Sequence, residues 1–186
     1  MFSRIKGGLP SYGESRQNET KIIGILGASR GVGVTHVCIL LAEYLAIEKG
    51  AKVALIACNH HGDFTNLMYN LGAQGAFPFC HHYVDYYNED SDGLVSIKQN
   101  VYSYVVMDFG ARLTGKSELF RSCDKKILLE TKTLWKRGAA KWSKDFMEEN
   151  EVICLCNFNT DSIAYTPISK RPEKKLRKIF DEICMQ

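Results

Sequence analysis

The stretch that most constrains this chain is Gly27-Ala28-Ser29-Arg30-Gly31-Val32-Gly33-Val34-Thr35, because of what flanks it. Before it runs Ile22-Ile23-Gly24-Ile25-Leu26, too short for a helix and bounded by glycine, which predicts a buried strand. After it, Val37, Leu40, Leu41, Tyr44 and Leu45 recur at helical spacing as far as Gly50, a residue suited to the position just past a helix end. Val53-Ala54-Leu55-Ile56-Ala57 predicts a second buried strand. Strand, helix and strand in so short a span form a βαβ unit, which implies a parallel sheet and a right-handed crossover. Glycines in such a loop let backbone N–H groups approach an anion, and the helix behind adds its partial positive charge. Ligands of open parallel sheets bind at this end of the strands. The loop is a candidate phosphate site.

Further strands are expected at Tyr102 to Asp108, Lys126 to Glu130 and Val152 to Cys156, with a short one at Tyr83 to Tyr87 in an otherwise irregular, aromatic and histidine-containing middle. Trp135, Ala139, Trp142 and Phe146 mark one face of a helix between Leu134 and Glu149. A last helix after Pro172 carries Leu176, Ile179, Phe180 and Ile183 on one face and Lys174, Lys175, Arg177 and Lys178 elsewhere. The expected fold is α/β: a doubly wound, mostly parallel sheet with helices on both faces. Residues 1–20 lack periodicity and read as a flexible arm, and residues 21–186 as one domain.

The net charge of +3 is too small to point to nucleic acid or a membrane surface. Seven cysteines, an odd number without framework spacing, suit a reducing cytoplasm. The first residues are polar, with no apolar leader, and no apolar run reaches the roughly 20 residues of a membrane span. A cytoplasmic protein is expected.

Two families share the strand, glycine loop and helix. Gly27, Gly31 and Gly33 within "GASRGVG" resemble the loop of short-chain dehydrogenases, which implies NAD(P) binding as the alternative reading. That family's catalytic tyrosine with a lysine four positions on is missing, since Lys170 stands five after Tyr165. Arg30-Gly31-Val32-Gly33-Val34-Thr35-His36 resembles the deviant Walker A loop K-G-G-V-G-K-T-T of MinD/ParA ATPases. "THVCILLAEYLAIEKGAKVALIACN" resembles their next helix and strand, "YSYVVMDFG" their Walker B-like strand, and "VICLCNFN" a later strand. The resemblance runs in order from about Lys21 to Asn159.

The MinD/ParA resemblance implies a nucleotide cradle of Gly27, Ser29, Arg30, Gly31, Val32, Gly33, Val34, Thr35 and His36, with Asn157 near the base. Thr35 and Asp108 would hold magnesium. It also implies a homodimer across the nucleotide face, and a partner protein that the sequence does not identify. The departures are equally specific. The P-loop lysine falls on Val34, the family's signature lysine on Ser29, and the acidic residues that end the second strand on Ala57 and Asn59. The expectation is a degenerate site that binds ATP or ADP weakly or not at all, at most a weak ATPase.

The remaining clusters read as structural. His60-His61 and Cys80-His81-His82 lack zinc spacing, and neighbours on a strand point to opposite faces, so adjacent histidines there are not both ligands. Cys154 and Cys156 share one face of a strand and read as small hydrophobes, and Cys123 and Lys116 form no catalytic pair. The final helix would pack its apolar face on the sheet; the family's membrane-binding helix, or a nucleic-acid contact, is the minor reading of its basic residues.

Overall fold

The computed structural model describes residues 20–73, 75–88, 102–130, 146, 152–156 and 174–185. Seven strands form one sheet in the order β3-β4-β2-β5-β1-β6-β7. They are β1 (Lys21–Gly27), β2 (Val53–Ala57), β3 (Phe79–His81), β4 (Val84–Tyr87), β5 (Tyr104–Asp108), β6 (Lys125–Glu130) and β7 (Ile153–Cys156). All neighbours are parallel except β3, which pairs antiparallel with β4 at the edge. The first βαβ unit skips a place, because β5 lies between β1 and β2. In a dinucleotide-binding sheet those first two strands are neighbours. The topology therefore departs from the dehydrogenase alternative.

The near-continuous apolar strands are explained by cover on both faces. Alternate residues supply two cores. Ile23, Ile25, Val53, Leu55, Val106 and Ile127 face one; Leu26, Ala54, Ile56, Val105, Met107 and Leu128 face the other. Helix α1 (Val34–Glu43), continued by a π-helical turn over Tyr44–Glu48, buries Val37, Leu40, Leu41 and Leu45 in the first core. α2 (Asp63–Asn70) adds Phe64 to it. On the opposite face α3 (Ser117–Arg121) inserts Phe120, which meets Phe109 edge-on at 5.1 Å. Gly24 makes this approach possible, since a Cβ there would lie 2.8 Å from Cys123 Sγ.

α4 (Lys174–Met185) buries Leu176, Phe180 and Ile183 in the same core as α1. Tyr44 donates to Asp181 at 2.7 Å, and Arg177 pairs with Glu48 at 3.0 Å. The apolar face of this basic helix is thus occupied by the domain itself.

Several expectations shift. The middle is less irregular than expected, for α2 and β3 fall within it. α2 eluded a search for long periodic runs because it is only eight residues long and buries just Phe64 and Met68. The expected helix of residues 134–149 lies outside the described residues except for Phe146, which packs against Phe120 at 5.8 Å. Asn157 and residues 1–19 also lie outside them.

Candidate functional site

The carboxyl ends of β1, β2 and β5 meet at the loop. Gly27 N donates to Gly110 O at 2.8 Å, and Cys58 N to Asp108 O at 2.8 Å. Register fixes the rest: Ile25 and Ala57 both stand opposite Asp108. The turn from β1 into α1 needs left-handed backbone at Gly31 (φ 73) and Gly33 (φ 90), a conformation glycine adopts without steric cost. Gly27 is held by contact instead, since a Cβ there would lie 2.7 Å from Val32 Cγ2 and 2.8 Å from Val34 Cγ2.

The loop opens onto a cavity of about 620 Å³. Ser29, Arg30, Gly31, Val32, Gly33, Val34, Thr35 and His36 all line it, so the expected cradle is brought together. Gly27 does not line it. Asp63, Asn66 and Asn70 line the far wall from α2. A smaller cavity of about 280 Å³ adjoins, lined by Arg30, His60, His61, Arg112 and Lys116 among others. Among the described residues lining the larger cavity, Arg30 is the one side chain that is always a cation.

Asp108 is 1% exposed. Its Oδ1 accepts the Gly110 amide at 2.8 Å. Burial pushes its carboxyl above the usual range, opposed by the nearby Thr35 hydroxyl and the Gly110 amide. Thr35 Oγ1 donates to Asp63 Oδ2 at 3.1 Å and also lies near Asp108, whose Oδ2 is buried without a hydrogen-bond partner. A hydroxyl and two carboxylates converge where hard cations are bound through oxygen. This donor set fits magnesium, which Thr35 and Asp108 would hold, with Asp63 beside them.

Asp63 was missed in the sequence. The resemblance implies acidic residues at the end of β2, where Ala57 and Asn59 stand, whereas the carboxylate enters six residues past the strand at the start of α2. Gly62, at φ 73, makes the turn that presents it, and the pair Gly62-Asp63 was the available signal. Asn59 serves the scaffold: its Nδ2 donates to Asp108 O and its Oδ1 accepts His61 N. Ser29 Oγ, where the resemblance implies the signature lysine, is buried without a partner.

Cys123 and Lys116 each have a structural setting of their own. Lys116 Nζ donates to Cys58 O at 2.8 Å, and burial pushes the Cys123 thiol up to about 12, far from a reactive thiolate.

No protein-family model matches the sequence, and no curated protein matches it. Solved structures do match. A ParA family ATPase from Chlorobium tepidum TLS is 16% identical with a TM-score of 0.54, over 88% of this chain and 90% of that one. A putative plasmid partition protein from Borrelia burgdorferi B31, solved bound to AMPPNP, is 17% identical with a TM-score of 0.56, over 90% and 83%. The MinD cell division protein of Aquifex aeolicus is 14% identical with a TM-score of 0.55, over 89% and 78%.

Proposed function

We propose that this chain, which has the MinD/ParA-like P-loop fold, is a degenerate member of that architecture that binds ATP or ADP weakly or not at all. It acts as a regulatory, positioning or scaffold protein through a protein partner, not as an efficient ATPase. The neighbour bound to AMPPNP supports an adenine nucleotide as the ligand for which this site is shaped.

The observation that carries the reading is Val34. It occupies the lysine position of the loop, is 7% exposed, and packs its methyl against Gly27. The loop geometry, Thr35 and Asp108 persist around it. The shape for a phosphate is kept and the charge that reads it is gone. A lysine ammonium about 4 Å from a phosphate charge contributes on the order of 4 kcal/mol at an effective dielectric near 20. Losing half of that weakens binding roughly thirtyfold. Arg30 is exposed on the loop and borders both cavities, so it tempers that loss without reproducing a lysine fixed in the loop.

Magnesium held by Thr35 and Asp108 would neutralise phosphate charge when nucleotide is bound. The loop amides would orient the phosphates, and Asp63, accepting the Thr35 proton, would hold the hydroxyl oxygen toward the ion. Transfer of a phosphoryl group depends almost wholly on positioning and charge stabilisation, so loss of both loop lysines predicts negligible turnover. The test is phosphate release under saturating magnesium ATP, with and without candidate partners. Turnover at an ordinary enzyme rate, about 1 per second or faster, in the purified chain would refute the proposal.

A further inference from the structure

A second cluster of chemistry-bearing groups lies at the other end of the sheet. Glu43 closes α1, while His81 ends β3 and His82 begins the turn into β4. Val84, just beyond, pairs with Val53 at the start of β2, which places the turn far from the glycine loop along the strands. Glu43 is 6% exposed and its Oε1 lies 2.8 Å from His82 Nδ1. The rings of His81 and His82 stack with centroids 3.8 Å apart.

Adjacent histidines on a strand would diverge, but His82 has left the strand. His82 (φ 48) and Tyr83 (φ 65) are both left-handed, and the turn swings the two rings to one side. Such backbone is disfavoured for residues with a Cβ, and two in succession mark a locally strained turn. The expectation that these histidines cannot act together is therefore corrected. Each of the three residues offers a ligand atom, all within 4.8 Å of one another. A further polar group sits close by. Tyr86 is fully buried, its hydroxyl has no hydrogen-bond partner, and Glu43 lies near enough to act on it.

We propose that Glu43, His81 and His82 form a site for a divalent transition-metal ion of the zinc type, with a fourth position left for water or an outside ligand. Two imidazoles and one carboxylate are a donor set that zinc accepts, three protein ligands leaving the tetrahedron open. Ligating carboxylates are commonly braced by a hydrogen bond, and the buried Tyr86 hydroxyl is a donor in want of an acceptor. Cys80 is turned to Asp85 and does not belong to the converging set. The site is independent of the glycine loop.

A simple His82–Glu43 ion pair accounts for one contact but gives His81 no part. His81 is therefore the discriminating residue. The full chain, stripped with a chelator, would be titrated with zinc and cobalt(II) in a reducing buffer. The expected result is one chelator-reversible equivalent, cobalt visible absorption without a thiolate charge-transfer band, and a rise of several degrees in the unfolding midpoint. His81→Ala and Glu43→Gln should each weaken binding by about a hundredfold or more, while circular dichroism stays native and Cys80→Ser binds as before. His60→Ala/His61→Ala should also retain the ion. No binding, binding unchanged in His81→Ala, or binding lost in Cys80→Ser or the His60/His61 variant would overturn the assignment.

Discussion

At the scale of residues, the site turns on Asp108. The Thr35 hydroxyl donates to Asp63, and Asp108 keeps one buried oxygen with no hydrogen-bond partner. Such a group costs roughly 1–3 kcal/mol in the absence of an ion. Replacing Asp108→Asn should therefore raise the metal-free unfolding midpoint at neutral pH by about 2–12 °C, and abolish any magnesium dependence of nucleotide binding. The sign with pH follows from burial, which raises the folded-state value of Asp108. Below the ordinary Asp value both states hold the proton and the two proteins differ least. As pH rises through the raised value the native carboxylate must ionise in a buried place, and the advantage of the Asn variant grows. Calorimetry of both across pH 3–7 checks this; an advantage that shrinks with rising pH would contradict it.

Gly27 to His36 could be read because a glycine loop between strand and helix is a local pattern, whereas Asp108 came only through the resemblance of "YSYVVMDFG" to a Walker B-like strand. Asp63 was not, because its partnership with Thr35 spans 28 positions and depends on how α2 enters the site.

Elements show the same division. β1, β2, β5 and β6 could be read from apolar runs, since a strand covered on both faces has no other composition open to it. The order in which they lie side by side could not, because insertion of β5 between β1 and β2 is a choice of crossover. The edge hairpin was half legible. Its aromatic residues suggest strand, but the stack of Phe79 on Tyr86, with centroids 4.8 Å apart, depends on the antiparallel pairing. α4 provides a direct test of placement. Phe180 is fully buried between α4 and α1, so Phe180→Ala should destabilise the domain by roughly 3–5 kcal/mol, measured by urea unfolding. A helix resting loosely on the surface, free to leave for a membrane, would lose less than about 1 kcal/mol. Gly33 tests the loop as an element. With φ 90 it resists any side chain, and Gly33→Glu also sets a carboxylate where a phosphate would sit. That variant should lose all nucleotide response, read by calorimetric titration, while a partner that docks without nucleotide should bind it unchanged.

The whole molecule has the MinD/ParA-like P-loop fold, and under the proposed function it keeps that fold without the charge that reads a phosphate. The two cores and the central parallel strands are ordinary for the fold, and no helix among the described residues is long and apolar enough to cross a membrane. On the proposed function, the departure from a competent site lies in a few side chains at one end of the sheet, Val34 first among them. Charge restoration is thus the most direct trial: a thermal-shift titration with magnesium ATP up to millimolar, on the native chain and on Val34→Lys, which lines the same cavity. A lysine recovering half of its Coulomb attraction tightens binding about thirtyfold. The account predicts a flat or barely rising midpoint for the native chain and a shift of several degrees for the variant at the same concentration. A native chain already saturated at micromolar ATP, with the variant no better, would contradict it.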